Sequence, residues 1–495
     1  MSVRRNVVAN FAGHGWSAAL QLVLVPLYIH FLGIEAYGLV SFYAVLMATM
    51  QIFDLGLAQT LNRELARALG GGELAAKETR ELVRTLEVVY WIVVLSVCVA
   101  LALAVPLLAT YVVSPMSLSP ETVQDALTMM LAVVVLQWPV VLYQGGLMGL
   151  QKQVLASALR MLFATITAVG SVVVLSLVSA TLQAFFVWQI LVAGITVTGT
   201  ALAFHRHLPS APRAAQFRPR VLARLWRFAA GACALTAVGV LLTQGDKWIL
   251  LERLSLEAFG YFALAASASG ALGLFTTPIF AAVFPRFSSL VARREHGAML
   301  ALYHMATQAT AVGIGPLALI LSLYAEDVLW AWTGKAETAY FSGPLLSVLA
   351  LGSLLNCVAH PPYASELARG RTSILLGVNA ISAAVALPAV WLLAPLLGGM
   401  AAALMWFAIS AVNFTIAVPL VHSDLPAKSR VRWLLADVSA PLAAAAIMLV
   451  TLRPAMPQDS SRGGTILALA VALLLALAAA LIATPALRAA LVRSR

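Results

Sequence analysis

The chain has 495 residues, 62% of them hydrophobic and only 10% charged, with a formal net charge of +11 at neutral pH. A soluble domain could not hide that much apolar surface, so the composition excludes a water-soluble globular protein and calls for a bilayer. The basic residues are dispersed over eight segments rather than gathered on one face, which argues against nucleic acid as a partner and for membrane topology, with lipid headgroups as the attraction.

A spanning helix takes about 20 apolar residues. The predicted spans, in chain order, are 7–32, 36–61, 86–111, 122–149, 154–180, 183–204, 228–252, 257–284, 299–325, 342–367, 373–394, 398–421, 433–452 and 464–484. The expected fold is therefore all-α and polytopic, with about 14 transmembrane helices. The first stretch follows Arg4 and Arg5 and runs to Leu32. That is too long for a cleaved signal core, so it reads as a span. Only Ser179 to Gln183 separates the fifth span from the sixth. The segment from Asn62 to Thr85 reads as a surface helix interrupted at Gly70, Gly71 and Gly72. The segment from His205 to Arg227 carries Pro209, Pro212 and Pro219 among arginines and reads as a linker.

Charge tests this division. With the N-terminus in the cytoplasm, all but five of the 31 Lys and Arg fall at the predicted cytoplasmic face. The exceptions are Lys247, Arg253, Lys335, Arg453 and Arg462. The bias obeys the positive-inside rule and puts both termini in the cytoplasm.

The chain also repeats itself. Leu32, Glu35, Ala36, Tyr37 and Gly38 return 222 positions later as Leu254, Glu257, Ala258, Phe259 and Gly260, and Arg5 returns as Arg227. Six spans lie between the copies, so both halves enter from the same side. That predicts a parallel repeat about an axis along the membrane normal. The expected organisation is a six-helix bundle over 1–204, a linker over 205–227, a second six-helix bundle over 228–421, and two extra helices with a tail over 422–495. Gly145 and Gly149 form a small-xxx-small pair that permits close helix approach.

No catalytic or cofactor signature is present. There is no P-loop, no HExxH, no paired-cysteine metal motif and no GxSxG. Energy for transport must then come from a gradient of H+ or Na+, from the membrane potential, or from consumption of product. Cys98, Cys233 and Cys357 all lie inside spans and are not placed for a structural disulfide.

The informative residues are the polar ones at membrane depth, because an ionised side chain at mid-bilayer costs about 2.5–3.5 kcal/mol on insertion scales. Asp54 falls near the cytoplasmic rim of the second span. Asp246 and Lys247 fall toward the outer rim of the seventh, beside Gln244. Neighbouring residues on a helix diverge by about 100°, so Asp246 and Lys247 are expected to find different partners. Arg63 and Arg286 end the second and eighth spans at nearly matching repeat positions. Asn10, His14, Gln21, Gln137, Tyr143, Gln144, Arg160, Tyr363 and Glu366 complete the set. Two readings stay open for each: a side chain lining a translocation cavity, or one that only fixes helix packing.

These stretches carry a family likeness. Leu24-Val25-Pro26-Leu27-Tyr28 leads into Leu32-Gly33-Ile34-Glu35-Ala36-Tyr37-Gly38, followed by Asp54-Leu55-Gly56-Leu57 and Asn62-Arg63-Glu64-Leu65-Ala66-Arg67. Further on stand Gln244-Gly245-Asp246-Lys247, Phe284-Pro285-Arg286 and Pro362-Tyr363-Ala364 to Gly370-Arg371-Thr372. Together they resemble the Wzx-type O-antigen and polysaccharide flippases of the multidrug/oligosaccharidyl-lipid/polysaccharide exporter superfamily. The resemblance implies two six-helix bundles around a cavity open alternately to each side of a bacterial inner membrane. It implies a short glycan on an undecaprenyl pyrophosphate anchor as substrate, and a polysaccharide polymerase and chain-length machinery as partners. One departure stands out: flippases of this type carry several deep cations, whereas Lys247 is the only deep basic residue here, with Arg160 nearer the inner face. A drug or lipid II exporter of the same superfamily is an alternative, although the first span lacks the buried carboxylate expected of a drug exporter. A membrane-embedded glycan polymerase or ligase would need a large external loop, and the largest, near Glu326 to Phe341, is about a hairpin tip.

Overall fold

The computed structural model describes residues 3–68, 73–111, 114–209, 216–370, 373–421, 426–456 and 461–484. The glycine run at 70–72, Pro212, Arg213, Arg371, Arg488, Arg493 and Arg495 lie outside the described residues. Among the described residues, 13 helices are long and apolar enough to cross a membrane. A shorter apolar helix, Met400–Ile416, stands where the twelfth span was predicted. The only extended pairing among them is a single bridge between Ser114 and Ser255. The protein is an all-α, multi-pass membrane protein. It separates into two compact units, Met1–Gly260 and Tyr261–Arg495.

In the first unit, α1 (Val3–Leu32) lies along α7 (Gln153–Val173), with Gly13 against Ser157. The second span is not one helix. α2 (Ile34–Met50) passes into a 3-10 turn at Gln51–Asp54, and α3 (Leu57–Ala68) follows. Leu55 and Gly56 between them take φ of 52° and 67°. Two consecutive left-handed residues end a right-handed helix, and Asp54 Oδ2 accepts from the N–H of Ala58 at 3.4 Å at the start of the next.

Beyond α4 (Glu73–Tyr111), the fourth span is likewise divided, into α5 (Pro120–Gln137) and α6 (Pro139–Gly149). Proline has no N–H to continue the ladder. A Cβ on Gly145 would stand 2.7 Å from the Ala58 carbonyl oxygen, and one on Gly149 would stand 2.6 Å from that of Asn62. The small-xxx-small pair is thus the seam between α6 and α3. α7 ends in a π turn at Val174–Val178, and α8 (Leu182–Arg206) begins after Thr181 caps it. α9 (Pro219–Arg253) packs on α2, α3 and α4. Trp248 Nε1 donates to Thr49 Oγ1 at 2.9 Å and its ring meets Phe42 edge-on at 5.2 Å.

The two copies of the repeated block touch each other where α10 (Leu256–Gly270) begins. A Cβ on Gly38 would stand 2.6 Å from the Leu256 carbonyl oxygen, and one on Gly260 would stand 2.5 Å from that of Ile34. Ile34 and Leu256 are themselves 222 positions apart, so the contact is reciprocal, as a two-fold axis between the copies requires. Glu35 accepts from the N–H of Met116 at 2.6 Å and of Ser117 at 3.1 Å, which ties the next turn to this crossing.

The second unit continues with α11 (Gly273–Ala292), α12 (His296–Leu323), α13 (Ala325–Thr333), α14 (Ala336–Ala368), α15 (Ser373–Leu397), α16 (Met400–Val412) and α17 (Val418–Val421). α18 (Ala427–Arg432), α19 (Ala440–Leu452) and α20 (Arg462–Ile482) end the described chain. α12 is central, packed by α11, α14, α19 and α20. Ala445, Ala472, Ala476 and Ala480 bring the last two spans into the core beside Ile314 and Ala318. Two exceptions to the charge rule find their reason here. Arg453 donates to the Leu323 carbonyl and lies over the Tyr324 ring. Arg462 donates to the carbonyls of Ala331 at 2.8 Å and Trp332 at 2.6 Å. Both supply charged donors to helix ends that otherwise lack them.

Candidate functional site

Three of the polar residues picked from sequence meet in the first unit. The Arg160 guanidinium reaches His14 Nε2 at 2.5 Å through Nη1 and Gln144 Oε1 at 2.9 Å through Nη2. They come from α7, α1 and α6. An acceptor at Nε2 fits a neutral imidazole that carries its hydrogen on Nδ1. Arg160 is half-buried and His14 is exposed, so the guanidinium is held by two partners and is not sealed off. It stands seven residues into α7, about 10 Å along the helix.

Asp246 and Lys247 do not find separate partners. Lys247 Nζ lies 3.3 Å from Asp246 Oδ1 and also donates to the Thr243 carbonyl, while Gln244 Nε2 reaches Thr243 Oγ1 at 3.4 Å. Helical divergence fixes the direction of Cβ only, and the four-carbon lysine stem bends back to its neighbour. The pair carries no net charge, and each side chain is about a quarter exposed.

The remaining candidates scatter. Asp54 is buried, and its hydrogen bond to Ala58 gives it the task of dividing the second span. Arg63 is half-buried and Arg286 exposed, each at the end of its span. Glu366 is buried against Arg369 Nη1 at 3.5 Å, whereas Tyr363, one turn before it, is open. The side chain of Asn10 lies outside the described residues.

Tyr363 opens on a cavity of about 570 Å³ within the second unit. Asn356, His360 and Tyr363 line it from α14, Phe280 from α11, Asn379 from α15, and Asn413 from the end of α16. Its volume is that of a small-ligand site. His360 Nε2 lies 3.3 Å from Asn356 Oδ1, and the Phe280 ring stands 6.2 Å from that of Tyr363. Asn413 begins a π turn, Asn413–Ala417, and such wide turns are frequent at functional sites. The wall offers amides, an imidazole, a phenol and aromatic faces, and no carboxylate, lysine or arginine among its described residues. The search for polar residues in the sequence found Tyr363 and passed over the rest of this constellation. The signal available was the trio Asn356, Asn379 and Asn413, each an amide inside a predicted span.

Residues 3–291, more than half of the chain, match the model of a family described as polysaccharide biosynthesis protein. The chain belongs to that family. This family member is 20% identical over 422 residues to a Shigella flexneri protein named as an O-antigen transporter, a match covering 82% of the chain and 94% of the relative. Its fold is similar to that of the lipid II flippase MurJ in an inward closed conformation, with a TM-score of 0.71 at 11% identity over 96% of this chain and 98% of the other. It is also similar to an inward-facing multidrug resistance transporter of the MATE family and MOP superfamily, with a TM-score of 0.61 at 14% identity over 86% and 97%. At these identities the solved structures speak for the fold. The polysaccharide-family likeness read from the sequence holds in the family match, and the all-α, multi-pass fold it implied holds in the structure.

Proposed function

We propose that the chain is a flippase that carries a lipid-linked oligosaccharide from the cytoplasmic to the periplasmic leaflet by alternating access, for the export of surface polysaccharide. The observation that carries this reading is a neutral, amide-rich and aromatic cavity inside a membrane bundle of the polysaccharide biosynthesis family. Sugar hydroxyls need donors and acceptors in place of water, and amides supply both. The apolar faces of sugar rings lie well on aromatic side chains. A pyrophosphate needs a cation, and an arginine fork fits phosphate oxygens. The Arg160 fork meets that need on the first unit, and the polyprenyl tail remains in lipid. Chemistry on the glycan is left to partners such as a polymerase and chain-length machinery. The two six-helix halves of the repeat are the moving parts, both termini are cytoplasmic, and H+ or Na+ supplies the energy.

Deleting the gene and locating the lipid-linked glycan tests this. The reading requires the glycan to accumulate in the inner leaflet while surface polysaccharide is lost. Accumulation in the outer leaflet, or drug sensitivity with normal surface polysaccharide, would remove it.

A further inference from the structure

One buried polar cluster of the second unit stands apart from the cavity. His304 and Gln308 lie one turn apart on α12. They face Asp437, which sits in a π turn, Trp433–Ser439, between α18 and α19. His304 Nδ1 is hydrogen-bonded to Asp437 Oδ2, and Gln308 Nε2 donates to Asp437 Oδ1 at 2.7 Å. Asp437 is 0% exposed, Gln308 3% and His304 4%. Gln308 Oε1 is buried with no hydrogen-bond partner among the described residues. Trp433, one turn before Asp437, donates through Nε1 to Thr307 Oγ1 at 3.2 Å.

The buried charges around the pair are few: Lys428, Arg430 and Arg432 of α18 and Arg286 of α11 are all exposed. On α12, Tyr303 stands close to Asp437 and to Arg369, which follows α14 and itself pairs with Glu366. From Ala440 to Leu452 and from Gly463 to Ile482, α19 and α20 contribute no ionisable side chain. Asp437 lies ten residues past the start of α18 and His304 eight past the start of α12, about 15 and 12 Å along their helices. Both helices begin at the face predicted to be cytoplasmic, and their predicted spans begin at 299 and 433, so the pair lies about 6–8 Å inside the cytoplasmic edge of a core about 30 Å thick.

Packing alone does not call for such a pair. Apolar side chains of similar volume hold buried helices together as well or better, and a buried ion pair is poor evidence of stability. Ionisable groups at this depth mark proton and ion pathways. With a neutral His304 donating to the Asp437 carboxylate, the cluster carries one negative charge. One added proton makes it neutral. Loading and release therefore change the charge buried between α12 and the last two spans by one unit. Release requires water to reach the pair, and the wide turn at Trp433–Ser439 is the element that can yield. Gln308 Oε1 is a vacant acceptor for a water that enters with the proton.

We propose that His304 and Asp437 form a proton-binding site, and that its loading sets how the last two spans pack on α12, coupling a proton gradient to transport. The coupling step rests on the flippase reading; the binding site does not. Full-length protein in lipid nanodiscs is titrated between about pH 5 and 8, the range in which histidine chemistry operates, and the protons taken up are counted. The wild type takes up one proton more per chain than Asp437→Asn. His304→Gln, which keeps a donor beside the carboxylate, shows the same loss and serves if Asp437→Asn does not fold. Equal counts in wild type and both variants overturn the site. In proteoliposomes holding the lipid-linked oligosaccharide, a pH gradient speeds the wild type and fails to speed either variant. A gradient response retained in both variants overturns the coupling, and absence of any wild-type flipping defeats the flippase reading while leaving the proton count to decide the site.

Discussion

Substituting alanine for Gly38 and Gly260, singly and together, probes the crossing of the two repeat copies. A Cβ at position 38 would lie 2.6 Å from a backbone carbonyl oxygen, where ordinary contact begins at 3.4 Å. The crossing must open by about 0.8 Å, and the obstacle is backbone, which cannot swing aside as a side chain does. Overpacking of this kind costs about 1–3 kcal/mol. Replacing a helical glycine returns up to about 1 kcal/mol, so each single variant should lose about 1–2 kcal/mol. The same opening admits both methyl groups, so the double variant should lose less than the sum, with a coupling of about 1 kcal/mol between the sites. Gly15, in α1 with open space around its Cβ position, is the control, and Gly15→Ala should be neutral or stabilising. Thermal and denaturant unfolding in one fixed detergent gives all four values. Neutral single variants, or a double variant that loses the full sum, would refute the reciprocal contact.

Further expectations concern the polar groups. Arg160→Ala should abolish glycan export with membrane insertion intact, and Arg160→Lys should recover only part of it, because a point charge cannot hold His14 and Gln144 in a fork; complementation with a membrane-fraction blot checks both. Lys247→Ala should impair export without loss of insertion, and full complementation would remove Lys247 from the translocation path. Asn379→Ala and Asn413→Ala should lower export of the native glycan while leaving unfolding curves nearly unchanged; wild-type export by both would detach the cavity from the substrate. Arg462→Ala removes a charged donor from two carbonyls at the end of α13 and should cost about 1–3 kcal/mol of stability, read as a lower Tm.

The architecture was largely legible because bilayer thickness and the cytoplasmic bias of Lys and Arg write themselves into composition. The repeat was legible for a similar reason: Gly38 and Gly260 persist where backbone meets backbone. The breaks at Leu55–Gly56 and Trp138–Pro139 were harder to read, since hydropathy does not register a left-handed residue or one missing N–H. At the candidate site, His14, Gln144 and Arg160 were visible as polar residues in apolar spans, and the structure added that they meet. The pairing of Lys247 with Asp246 was misjudged because a helical wheel gives the direction of Cβ and not the reach of a lysine. Asn356, Asn379 and Asn413 were missed although other amides were picked, because nothing in the sequence shows that residues of three separate spans line one cavity. Compactness and repeat also divide the chain differently. α9 stands in the second half of the repeat, yet it packs on α2, α3 and α4 through contacts such as Trp248 to Thr49.

The central claim is that this protein moves a lipid-linked oligosaccharide across a bilayer. The direct measurement is reconstitution of the purified chain into vesicles carrying a fluorescent undecaprenyl-pyrophosphate oligosaccharide, with a membrane-impermeant quencher outside. Protein-dependent exchange of the glycan between leaflets, abolished by Arg160→Ala, is the predicted result. Vesicles that hold folded protein yet keep the glycan on its original leaflet under every imposed gradient would contradict it.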